Sequence, residues 1–147
     1  MKALHAIKIG SNLLKDNKIS SHILDSEILL SKVLNKSREK ILINLDQEIN
    51  KKDISILKKY LIIRSKKEPV AYILNEKEFF SKKFYVNKNT LIPRPETEIL
   101  IEKLLKIFKK RRISILDIGT GSGCIIISLI FNLKESIGEG IDISKKA

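Results

Sequence analysis

Cysteine occurs once in the 147 residues, at Cys124. A lone thiol excludes an internal disulfide and fits a reducing compartment. Histidine occurs only at His5 and His22. Neither has a neighbour at metal-ligand spacing, so no metal is expected and neither is given a role. No apolar run reaches bilayer-spanning length, and the N-terminus lacks the continuous apolar stretch of a signal peptide. The expectation is a cytoplasmic chain with no membrane partner. Acids are few beside bases: 29 Lys and Arg face 17 Asp and Glu, a formal net charge of +12. Lysine outnumbers arginine, and Ile and Asn are abundant. This reads either as compositional bias with lysines on solvated faces, or as a basic surface for RNA or for a partner sitting on RNA. Both an arginine-rich tail and a basic patch interleaved with aromatics are missing. Direct sequence-specific nucleic-acid binding is therefore not expected.

What is there is organised around Ile113-Ser114-Ile115-Leu116-Asp117-Ile118-Gly119-Thr120-Gly121-Ser122-Gly123. A short run rich in β-branched Ile suits a buried parallel strand. The glycine-rich turn leads into Cys124 to Ile130, apolar enough for a strand but read as a helix because such loops usually feed one. The glycines let backbone approach a ligand, and N–H groups freed at the helix start can face a polar or anionic one. Cys124, at that helix start, reads as packing rather than as a nucleophile. Gly138 to Ser144 reads as a second strand with Asp142 near its carboxyl end. Asp142 lies where a nucleotide-binding βαβ unit places a carboxylate for ribose hydroxyls. The glycine spacing is not the G-x-G-x-x-G of a dinucleotide fold. Asp-x-Gly-x-Gly-x-Gly resembles motif I of the class I S-adenosylmethionine-dependent methyltransferases, with a ligand-free glycine turn or another nucleotide-binding fold as the alternatives.

Residues 1–74 read as helices only. Ala3, Leu4, Ile7, Leu13 and Leu14 mark a first helix, with Gly10 as a weak point. Ser20-Ser21 offer caps for a second, with Ile23, Leu24, Ile28, Leu29, Val33 and Leu34 on one face; Asn35-Lys36 closes it. Ser37 caps a short third helix running to about Leu45. Asp53 starts a fourth with a stripe of Ile54, Leu57, Leu61 and Ile62. Arg64 to Lys67 place cations where the helix dipole favours them, and Pro69 enforces the stop. Residues 76–92 read as a hairpin turning at Ser81-Lys82. In Leu91-Ile92-Pro93-Arg94-Pro95-Glu96-Thr97-Glu98, two prolines hold Arg94 in extended backbone. Glu96 and Glu98 favour the start of a helix that runs to about Lys110, its apolar side Ile99, Leu100, Leu104 and Ile107. Arg94 reads either as part of a capped helix start or as a wall of a site.

Glu68-Pro69-Val70-Ala71-Tyr72-Ile73, Glu78-Phe79, the proline-arginine-proline segment and Asp117 to Gly123 together resemble the HemK/PrmC family, the peptide chain release factor N5-glutamine methyltransferases. The resemblance runs over essentially the whole chain. It implies a multi-domain protein: an all-α helical bundle binding the release factor over residues 1–74, a β-hairpin linker over 75–92, and over 93–147 the start of an α/β Rossmann-like class I methyltransferase domain. It implies S-adenosyl-L-methionine as cofactor, held by Gly119, Thr120, Gly121, Ser122, Gly123 and Asp142. The implied reaction is methyl transfer to the glutamine amide nitrogen of a Gly-Gly-Gln motif in release factors, by a cytoplasmic monomer. Asn75 stands where the family usually has glycine, and Asn tolerates the left-handed conformation. The family's Asn-Pro-Pro-Tyr motif, which positions the accepting amide, is not in these residues. No residue is therefore assigned a catalytic role, and the 147 residues by themselves are expected not to transfer a methyl group. An adenine-N6 nucleic-acid methyltransferase and a non-catalytic release-factor-binding module remain as alternatives.

Overall fold

The computed structural model describes residues 1–147, which divide into two compact units, Met1–Leu74 and Asn75–Ala147. The first holds α1 (Ala3–Asp16), α2 (His22–Leu34), α3 (Arg38–Ile43), α4 (Lys51–Ser65) and α5 (Val70–Leu74). Its core gathers Leu14, Leu29, Leu30, Ile41, Leu57 and Leu61. No helix of the chain is long and apolar enough to cross a membrane.

Gly10 is not a weak point. A Cβ there would meet Ser26 Oγ at 2.5 Å and the Leu61 methyls at 3.0 Å. Glycine is what lets α1 close onto α2 and α4, and the tight packing offsets its low helix propensity. The buried face of α2 also differs from the apolar stripe. Ile23 and Leu24 are exposed, while Asp25, Ser26, Glu27, Leu29 and Leu30 are buried. Both acids are paired: Arg64 Nε donates to Asp25 Oδ2 at 2.7 Å and Arg38 Nε to Glu27 Oε2 at 2.6 Å. Arg64 thus serves α2 rather than only the dipole of its own helix.

Caps set the ends. Asn35, at φ +48°, closes α2 in a left-handed turn, with Lys36 N–H donating to Ser31 O. Ser37 caps α3, which ends at Ile43, two residues short of the expected Leu45. α4 starts at Lys51 rather than Asp53, because Asn50 is the stronger cap: its side chain accepts from Asp53 N–H at 2.8 Å. α4 closes before Pro69 is reached, at Lys66 and a left-handed Lys67 (φ +69°), and Pro69 opens α5, its carbonyl accepting from Tyr72 N–H at 3.0 Å.

The second unit begins with the antiparallel hairpin β1 (Lys77–Phe79) and β2 (Lys82–Phe84). Its turn is Phe80-Ser81, one residue earlier than expected. Both residues have positive φ, +48° and +58°, the conformation that matches strand twist in a two-residue hairpin. Glu98 compensates for an unfavourable Phe there by accepting from Phe80 N–H at 2.9 Å. Asn75, at φ +51°, takes the left-handed conformation and donates to Val86 O. α6 (Glu96–Ile107) buries Ile101, whereas Ile99, Leu100 and Ile107 are exposed.

β3 (Ser114–Ile118) and β4 (Ile137–Ile141) pair in parallel, with α7 (Cys124–Asn132) between them in sequence. Gly138 lies under α7: a Cβ there would meet Ile126 at 2.8 Å and Ile130 at 2.5 Å. The arrangement of a helical region followed by small sheets is compatible with the start of a methyltransferase fold.

Candidate cofactor site

The strand β3 delivers its chain directly into the loop Gly119–Gly123. Gly119, Gly121 and Gly123 all have positive φ, +79°, +53° and +73°. Beside Gly119 and Gly121 a Cβ would meet no atom within 4 Å. The loop therefore combines a backbone path that side chains disfavour with open space next to it. Gly140 does the opposite: its missing Cβ makes room for the Thr120 side chain at 2.8 Å. Thr120 Oγ1 in turn donates to Asp117 Oδ2 at 2.9 Å, tying the loop to the end of β3.

Asp142 follows β4 immediately. Its Oδ2 accepts from Gly121 N–H and its Oδ1 from Ser144 N–H, both at 2.8 Å. These bonds, Ser144 first and Gly121 second, hold the exposed carboxyl below its ordinary value. A carboxylate offers about four acceptor sites, so two remain open, one on each oxygen. That is the acceptor pair a vicinal diol requires. Ser144 was not legible as part of the site, because the contribution comes from its backbone N–H.

Four of the loop's N–H groups are engaged within the chain: Gly119 and Thr120 both donate to Ile141 O, Gly121 to Asp142 and Gly123 to Thr120 O. The N–H groups at the start of α7 are not among those engaged there. Open space over two glycines and a pre-set carboxylate fit the ribose of a nucleoside, and S-adenosylmethionine carries one.

The remaining expected residues fall around this centre. Ser122 Oγ is buried beside the Cys124 thiol. Cys124 is a buried free thiol whose ionisation burial pushes up, which removes nucleophilic character. Asn87 Nδ2 donates to Lys146 O at 3.3 Å, linking the turn after the hairpin to the segment beyond Asp142. Arg94 is exposed at the head of α6, its carbonyl accepting from Thr97 N–H.

Comparison with known proteins places the helical unit. Residues 5–74 match the family model described as the PrmC N-terminal domain. The helical unit belongs to the PrmC N-terminal domain family. Beyond it, the chain is 42% identical over 146 residues to a release factor glutamine methyltransferase of Leptospira interrogans, covering 98% of this chain and 51% of that protein. It is 48% identical over 105 residues to the protein of the same description in Buchnera aphidicola, covering 71% of this chain and 38% of that one. A bifunctional methyltransferase of Rickettsia conorii is 38% identical over 154 residues, covering 88% and 29%. The chain thus carries the N-terminal portion of the HemK/PrmC family pattern and spans about half the length, or less, of these relatives. Within this chain's matched residues the Gly10 crossing and the buried Asp25–Arg64 pair tie the helices together.

Proposed function

We propose that this chain supplies the release-factor-binding bundle and the cofactor loop of an S-adenosylmethionine-dependent methyltransferase acting on the glutamine amide N5 of the Gly-Gly-Gln motif in peptide chain release factors. In this reading residues 1–74 dock the release factor, residues 75–92 are the hairpin linker, and residues 93–147 are part of a Rossmann-like cofactor domain. A cytoplasmic monomer belongs to the same reading. The observation that carries it is the Asp142 carboxylate, clamped by Gly121 and Ser144 N–H beside an open glycine loop. The names of the relatives supply the substrate.

When bound, S-adenosylmethionine supplies an electrophilic methyl group. Asp142 would accept from the two ribose hydroxyls through its open acceptor sites. Gly119 and Gly121 would let the ligand lie directly on backbone, and the Thr120–Asp117 bond would keep the loop from collapsing into that space. Thr120 and the rigid turn around Ser122 and Gly123 would shape the wall. Cys124 would stay a packed thiol. Positioning of the accepting nitrogen, which supplies much of the rate, is assigned to none of these residues.

The test is a chimera in which residues 1–147 replace the matching half of the Leptospira interrogans relative. Incubated with labelled S-adenosylmethionine and purified release factor, it should place one methyl group on the Gly-Gly-Gln glutamine, located by mass spectrometry. Methylation of DNA or RNA without methylation of release factor would reject the substrate and favour the adenine-N6 alternative.

A further inference from the structure

The cofactor loop lies at the carboxyl ends of the parallel strands. A second feature lies at their amino ends, where α6 runs into β3 and α7 runs into β4. A groove of about 710 Å³ opens there. Its walls carry Lys106, Lys109, Lys110, Arg111, Arg112 and Lys134. All six are exposed and none takes part in an ion pair. Glu102 and Glu135 are the only carboxylates lining it. Six cations against two acids in a concavity focus positive potential.

The lining decides what kind of anion fits. Protein interfaces are depleted of lysine at their centre and carry aromatic or apolar anchors; here no aromatic residue lines the groove, and its apolar members, Leu105 and Leu133, sit half-buried and buried at its base. A concave wall also presents no apolar face to a flat bilayer, which surface-bound helices need. Dense positive charge without base-stacking rings is the composition of a backbone-contacting surface. We propose that this groove binds the phosphodiester backbone of nucleic acid without reading its bases. The groove is separate from the cofactor loop, and the proposal does not depend on the methyltransferase reading.

The test uses fluorescence anisotropy with a labelled 20-nucleotide single-stranded RNA of mixed sequence, and with DNA of the same sequence. If about four phosphates are engaged, the log–log salt slope is about −3, and affinity falls about fiftyfold between 50 and 200 mM salt. The groove variant Lys109→Glu/Arg111→Glu/Lys134→Glu should weaken binding more than about tenfold and reduce the slope by about 2. A control, Lys51→Glu/Lys52→Glu/Lys58→Glu on α4, removes the same charge from exposed positions of the helical unit and should change affinity less than about threefold. Thermal melts by circular dichroism check that both variants fold. RNA and DNA bound alike would identify the phosphate backbone as the ligand, and a preference for RNA would add the 2′-hydroxyl. Equal losses in the two variants, or no binding, would overturn the assignment. So would groove-dependent binding of anionic vesicles or of an acidic peptide with no binding of nucleic acid.

Discussion

Arg64→Met should destabilise the helical unit by about 3 kcal/mol. The guanidinium donates to Asp25 Oδ2 at 2.7 Å and to Glu68 O at 3.2 Å, and Ser21 Oγ donates to the same Asp25 oxygen at 2.8 Å. The side chains of the pair are only 15% and 8% exposed. Methionine keeps the volume but leaves a buried carboxylate facing Ser21 alone. Breaking one side of such a pair is far costlier than removing both, because the desolvated charge stays behind. A domain of this size has roughly 4–11 kcal/mol in total, so the loss is a large share. Urea unfolding followed at a helical wavelength should show the midpoint falling by about 3 M, given a slope near 1 kcal/mol/M. The double variant Asp25→Leu/Arg64→Met should recover most of that loss. An unmoved midpoint in the single variant would mean the pair is solvated.

Asp142→Ala should weaken S-adenosylmethionine binding by roughly thirtyfold in the chimera. Each charge-assisted bond to a ribose hydroxyl is worth about a factor of ten in affinity, and water recovers part of the loss. The variant also releases Gly121 N–H and Ser144 N–H, so the loop loses its clamp. Asp142→Asn keeps one acceptor and should fall between. The pH dependence has a definite sign. A carboxyl held below its ordinary value stays ionised as pH falls through the usual carboxylate range near 4, so its contribution is lost only at lower pH. Calorimetric affinity should therefore be flat from pH 7 to about 5. An unchanged dissociation constant in Asp142→Ala would remove the ribose role.

The parts legible in sequence were those where backbone geometry dictates the residue. Three glycines at positive φ, an Asn closing α2, and the strand–loop–helix–strand order around Gly119–Gly123 all follow from local requirements. The core faces were less legible, because polar or missing side chains occupy them. Asp25, Ser26 and Gly10 sit in the bundle's interior, so counting apolar residues turned the α2 stripe toward Ile23 and Leu24, which are exposed. The hairpin register slipped for the same kind of reason: a Phe at φ +48° is disfavoured alone and is accommodated by Glu98, 18 residues away. Asp142 stood out in the sequence as a candidate but its clamp did not, since Gly121 and Ser144 contribute N–H groups that any residue carries. The cationic groove needs Lys134 brought beside the Lys106–Arg112 stretch, a juxtaposition that only the packing of α6 on α7 creates.

Amide chemical-shift mapping of S-adenosylmethionine onto the isotopically labelled chain would locate the cofactor residue by residue. Saturable shifts are expected at Gly119, Thr120, Gly121, Asp142 and Ser144, diminished in Asp142→Ala, with no equivalent effect from NAD. Absence of saturable shifts there, shifts confined to the helical unit, or an equal response to NAD would contradict this placement of the cofactor.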